Sequence, residues 1–146
     1  MPSFFDQSDR HSLLARIDQL RPDAPARFGK FNAPRMVCHL IESMRMASGD
    51  LVPRPKRRTF PRVVSKFIIH YLPWPKGAPT APELLAHPPA SWDSDLAMLR
   101  GLVERHPYPP ADAALPSHPA GGPLDRRDWG VLMYRHLDHH LSQFGC

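Results

Sequence analysis

The sequence predicts an all-α protein: a four-helix bundle with a short extra helix and two long proline-rich loops. Three observations predict it. Apolar residues recur at three- and four-residue spacing in four separate segments, the pattern of helices that bury one face. No segment alternates β-branched and polar residues with the period of two that a half-buried strand requires. The prolines, 19 in 146 residues, fall almost entirely in 22–34, 53–61, 73–89 and 107–123, so they mark connectors and leave the helical segments between them.

The first helix is expected to start near Ser8, whose hydroxyl can cap the free amides of a first turn. Leu13, Leu14, Ile17 and Leu20 form its stripe. The Arg21-Pro22 step ends it, because the residue before a proline avoids the helical region. The second helix opens on Asn32 as N-cap with Pro34 in its first turn. Met36, Leu40, Ser43, Met44 and Ala47 share one face, and Gly49 is the expected terminator. His39 lies on or beside that face.

Arg54 to Thr59 reads as an exposed basic link. Pro61 to Tyr71 is a shorter helix carrying Val63, Val64, Phe67, Ile68 and Tyr71. Leu72 to Glu83 holds too many prolines for regular structure, and Trp74 is placed to anchor it to the bundle. The third principal helix runs from Ser91, its cap, to Arg105, with Trp92, Leu96, Leu99 and Val103 on one face. After a second irregular stretch, Pro107 to Pro123, Asp125 caps the last helix, which ends at Gly145.

The length suits one domain, 1–146, with one core. At 42% hydrophobic and 23% charged the chain reads as soluble and globular. Its most apolar stretch, Val63 to Trp74, is broken by Lys66 and His70, so no membrane span is expected. The first residues lack the basic and apolar regions of a signal peptide, which places the protein in the cytoplasm. Cys38 and Cys146 make no disulfide framework. Cys38 reads as a small core residue, and a nucleophilic pair with His39 is not expected because adjacent helix positions do not face each other. The net charge of +5 invites a nucleic-acid reading, with Arg54, Lys56, Arg57, Arg58, Arg62 and Lys66 in one stretch. No zinc-finger spacing or RNA-recognition signature accompanies them, so a solvated loop is the expectation and nucleic acid is not an expected partner.

The chemistry concentrates in the last helix, Trp129 to Cys146. His136 and His140 are four apart, which puts both imidazoles on one helix face, one turn apart. Trp129, Met133 and Phe144 share that face, so the two histidines point where core residues point. Buried imidazoles need partners. One solution is a packed, hydrogen-bonded network; another is a metal ion. His39, on the inward face of the second helix, is the third ligand candidate. Three imidazoles leave open positions for water or substrate, the pattern of a catalytic metal. Nitrogen-only ligation suits zinc, nickel, iron or copper alike. Glu42, three after His39, reads as a charge at the edge of the helix face, its alternative being to orient a ligand. His118 could line the opening. Tyr134 reads as a packed ring and Asp138 as solvent-facing. His11, His70, His87 and His106 have no predicted partners.

The tail His136-Leu-Asp-His-His-Leu-Ser-Gln143, with Met36-Val-Cys-His39-Leu upstream, resembles the DinB-like superfamily. The longer pattern, His118-Pro-x-x-Gly-Pro-Leu-x-x-x-x-Trp129-Gly, is similar to an uncharacterised subfamily within it. The resemblance runs from about Arg27 to the end, and the proline-rich connections depart from it. It implies a four-helix bundle holding a divalent metal ion (zinc, nickel or iron) on His39, His136 and His140. His139 stays outside the ligand set, and Gln143 plays a structural or orienting part. The implied activities are metal-dependent hydrolysis or thiol-dependent transfer, with a small molecule or thiol as partner. The rival expectation is a non-catalytic interaction module, able to form a homodimer, in which the histidines are a polar core network.

Overall fold

The computed structural model describes residues 1–55, 60–76 and 80–146. It is all-helical: α1 (Gln7–Ile17), α2 (Ala33–Ser48), α3 (Arg62–Tyr71), a 3₁₀ turn over Pro82–Leu85, α4 (Trp92–Arg105) and α5 (Arg126–Gln143). Among the described residues there is no strand, only an isolated bridge between His118 and Gly122. None of their helices is long and apolar enough to cross a membrane.

The two helices that carry the histidine pattern are capped as expected. The Asn32 side chain accepts from the Arg35 amide, and Gly49 ends α2 in the left-handed region at φ 85°, where a side chain would be strained. Asp125 caps α5 in a reciprocal box with Asp128, each carboxylate accepting the other's backbone amide.

The other termini differ from expectation. Asp6, not Ser8, caps α1: its carboxylate accepts the amides of Ser8 and Asp9, and the Ser8 hydroxyl donates to it at 2.6 Å. A carboxylate at this position carries charge toward the positive helix end, which a hydroxyl does not. The helix stops at Ile17, before Leu20, which is reached through a turn. Ser91 stands at the start of α4, but its side chain makes no cap bond; Asp95 instead reaches back to accept the Ala90 amide at 3.0 Å. The stretch expected to be irregular contains the 3₁₀ turn, which begins at Pro82. Of the basic link, Lys56, Arg57, Arg58 and Thr59 lie outside the described residues, as do Gly77, Ala78 and Pro79 of the following loop.

Packing closes a ring: α1 lies against α4 and α5, and α2 against the same two helices. Leu13, Ile17, Met36, Leu40, Leu99, Val103, Leu137 and Leu141 fill the space between them. The N-terminal segment is fastened to α5 through the Phe4 amide and the Gly130 carbonyl, 2.9 Å. Arg10 is buried, donating to the carbonyls of Phe4 and His106. α3 packs on α5 outside the ring. Only Ile69 of this helix is buried, while Val63 and Phe67 are 79% and 52% exposed.

Three side chains given no partner, or a place at the edge of a helix face, by the sequence are held. His70 Nε2 meets Asp128 at 2.8 Å, and Lys66 pairs with the same carboxylate. His87 lies 4.0 Å from Asp95. Glu42 is buried and bonded to Arg45, one turn along α2.

Candidate functional site

His39 from α2 and His136 and His140 from α5 meet in the interior. Their ring centroids form a near-equilateral triangle, 5.0, 4.8 and 4.8 Å on its sides, each pair of rings edge to face. One ring nitrogen of each lies within 4.8 Å of the other two. Nε2 of His39 and Nε2 of His136 are 3.1 Å apart.

Two of the rings are oriented from behind. His39 Nδ1 lies 3.3 Å from the Leu84 carbonyl in the 3₁₀ turn, and since a carbonyl only accepts, Nδ1–H is the donor. His140 Nδ1 lies 3.0 Å from Gln143 Oε1. The Gln143 amide nitrogen is committed to the Phe28 carbonyl at 2.7 Å, which fixes Oε1 as the acceptor and Nδ1 of His140 as the protonated nitrogen. Both arrangements leave Nε2 as the unprotonated nitrogen, with a lone pair to offer a metal.

The triangle is neutral. His39 and His140 are 3% and 8% exposed, and desolvation disfavours the imidazolium. Burial takes His39 down to about 4, opposed by the Leu84 carbonyl. Burial takes His140 down to about 3, assisted by His39 and opposed by Gln143. His136 is lowered well below its ordinary value by burial first, then by His140 and His39.

The histidines line a cavity of about 710 Å³ bounded by α2, α5, the end of α3 and three connections. Trp74 does anchor its loop: the indole packs 5.7 Å from His136. Phe31 lies 5.2 Å from His39 and 5.7 Å from His140. Trp129 holds the other long connection by donating to the Pro116 carbonyl at 2.9 Å, and this brings His118 to the cavity wall. His139 lies outside the triangle's three-nitrogen grouping and packs on Phe28. Tyr134 packs partly buried against the core, and Asp138 pairs with Arg16 at 2.7 Å.

Sequence reasoning missed the 24–31 connection, which supplies Phe28, Gly29 and Phe31, and the backbone carbonyl of Leu84. A carbonyl carries no sequence signature. Gly29 did offer one: it has φ 75°, and a Cβ there would lie 2.6 Å from the Gln143 amide nitrogen, so the glycine permits the close approach of loop to helix.

A second grouping, Cys38, His87 and Asp95, lies between α2 and the start of α4. Its carboxylate is already engaged by the Ala90 amide and, at 3.8 Å, by the Cys38 thiol. Burial and then Asp95 push that thiol up to about 11, so it stays protonated and inert as a nucleophile. Cys38 is a small buried residue that donates to a helix-start carboxylate.

No curated protein and no solved structure matches the chain. The family described as "Protein of unknown function (DUF1569)" matches over residues 5–145, and by that near-complete match the chain belongs to this family.

Proposed function

We propose that the chain is a metal-dependent enzyme of the DinB-like superfamily, a four-helix bundle in which His39, His136 and His140 hold one divalent ion: zinc, nickel or iron. The closed ring of α1, α4, α2 and α5 supports the bundle. The convergence of three neutral imidazoles from two helices carries the site. The donor set fits such an ion. Two nitrogens at about 2.0–2.1 Å from zinc in tetrahedral array stand roughly 3.3–3.4 Å apart, close to the 3.1 Å between His39 and His136. Two of the rings have their distal N–H tied to an acceptor, as ligand histidines do.

A divalent ion bound there would lower the pKa of water or a thiol toward neutrality, supplying a nucleophile for hydrolysis or thiol transfer. The chain's own contribution is orientation and exclusion of water. Leu84 and Gln143 set the ring tautomers, and Phe31 and Trp74 cover the rings.

Elemental analysis of protein purified without a histidine tag tests the reading. We expect about one equivalent of metal, lost in His136→Ala. Metal-free wild-type protein, with His136→Ala altering neither metal content nor melting temperature, would sink it.

A non-catalytic interaction module is the second reading. It is favoured by the exposed apolar face of α3 (Val63, Phe67, Tyr71), with Phe60 exposed just before it, available to a second copy, and by the His39–His136 contact, which is self-sufficient as a hydrogen bond. It predicts a dimer broken by Phe67→Ser and no metal.

A further inference from the structure

We infer that the cavity takes an apolar ligand with a single anionic head, a carboxylate or thiolate on a hydrocarbon body, its head at the three-histidine centre and its body along the wall. This rests on the metal reading above. Three imidazoles bring no charge, so a divalent ion held by them keeps its full positive charge. Among the described residues no carboxylate lines the cavity, and the one Lys or Arg that does is Lys30, exposed at the rim. Asp138, the nearest acid in sequence, is paired with Arg16, and Glu42 is spent on Arg45. An uncompensated divalent charge in low-dielectric surroundings is costly, so the remaining position calls for an anion.

The wall decides what the anion is attached to. Met44, Met46, Ile69, Trp74, Leu132 and Met133 face the space. At about 710 Å³ it is far larger than a hydroxide needs and falls in the range of pockets that enclose whole small molecules, roughly 300–1,000 Å³. A polar body would leave its hydrogen-bonding groups unmatched against such a wall. An apolar one matches it.

The test uses untagged, cobalt(II)-loaded protein titrated with acetate, hexanoate and decanoate, and with 2-mercaptoethanol and 1-hexanethiol, followed by the cobalt visible spectrum and by calorimetry. Affinity should rise about three- to fourfold per methylene until the cavity is filled. Decanoate should bind at least tenfold more weakly without cobalt. The carboxylate and thiol arms show which head is preferred. Trp74→Ala, on a half-buried loop residue, should weaken decanoate about tenfold and by a larger factor than it weakens acetate; Met133→Gln is the second wall variant. Phe67→Ser, on the exposed face of α3, should change neither. Equal affinity for acetate and decanoate on cobalt-loaded protein would overturn the inference and leave the metal reading standing. Equal decanoate affinity with and without cobalt would overturn the placement of the head. Failure to bind cobalt at all would remove both.

Discussion

Gln143 accepts the Nδ1 proton of His140 at 3.0 Å through one end of its amide and donates to the Phe28 carbonyl at 2.7 Å through the other. One side chain thus ties the orientation of a site histidine to the loop over it. Gln143→Ala should lower metal affinity roughly 10- to 100-fold, the usual cost of losing an outer partner of a ligand histidine, while the helical content stays as it was. Chelator competition measures the affinity. Gln143→Glu, which keeps the acceptor but cannot donate to Phe28, should fall between the two.

The same loop gives a second test. At Gly29 a methyl group would lie 2.6 Å from the Gln143 amide nitrogen, on a backbone already at φ 75°. Gly29→Ala should cost about 1–2 kcal/mol for the left-handed conformation alone, read from urea unfolding. It should also weaken metal binding in the direction of Gln143→Ala, because the carboxamide must move. A loss of stability with unchanged metal affinity would separate the loop from the site.

The division between what was legible in the sequence and what was not follows the range of the interactions. Asn32 and Gly49 frame α2, and Asp125 caps α5, because caps act on amides and carbonyls within a few residues. The inward placement of His39, His136 and His140 was likewise readable from helical period, since the apolar neighbours on each face set the direction. Arg10, His70 and the Leu84 carbonyl were not. Their partners lie at His106, Asp128 and His39, across tertiary contacts that leave no periodic trace. Ser8 was misread for a local reason: two capping side chains stand two residues apart, and the carboxylate took the amides.

His106 gives a pH dependence apart from the triangle. Burial lowers it to about 4, Arg10 adding to the effect and Asp50 opposing it; its ring packs on Phe4 and Phe5. The folded state therefore holds it neutral, while an unfolded chain takes up its proton near 6.5. With more protons bound unfolded than folded, stability rises with pH across this window. Its contribution is complete above about 6.5 and declines as pH falls toward 4. His106→Gln should shrink the stability difference between pH 7 and pH 4.5 by on the order of 1 kcal/mol, allowing for the ring's partial exposure. The slope will not vanish, since burial depresses His39 and His140 in the same direction.

Asp128 joins the start of α5 to α3. One carboxylate oxygen accepts the Asp125 amide at 3.2 Å and pairs with Lys66, and the other meets His70 Nε2 at 2.8 Å. Lys66 and His70 belong to α3, a helix with a single buried residue, so polar contacts carry much of its attachment. Asp128→Ala should cost roughly 2–4 kcal/mol, about 1 for the cap and 1–3 for the buried partners left unmatched. The loss should be uneven. Hydrogen exchange should quicken through α3 and the first turn of α5 before the rest of the chain, because the polar partners of Asp128 among the described residues, Lys66, His70 and Asp125, all lie in α3 or at the start of α5. Asp128→Asn keeps an acceptor for the cap but loses the charge facing Lys66, and should recover the α5 protection while leaving α3 loosened. Uniform acceleration in both variants would mean that α3 is held by Ile69 and the backbone rather than by this carboxylate.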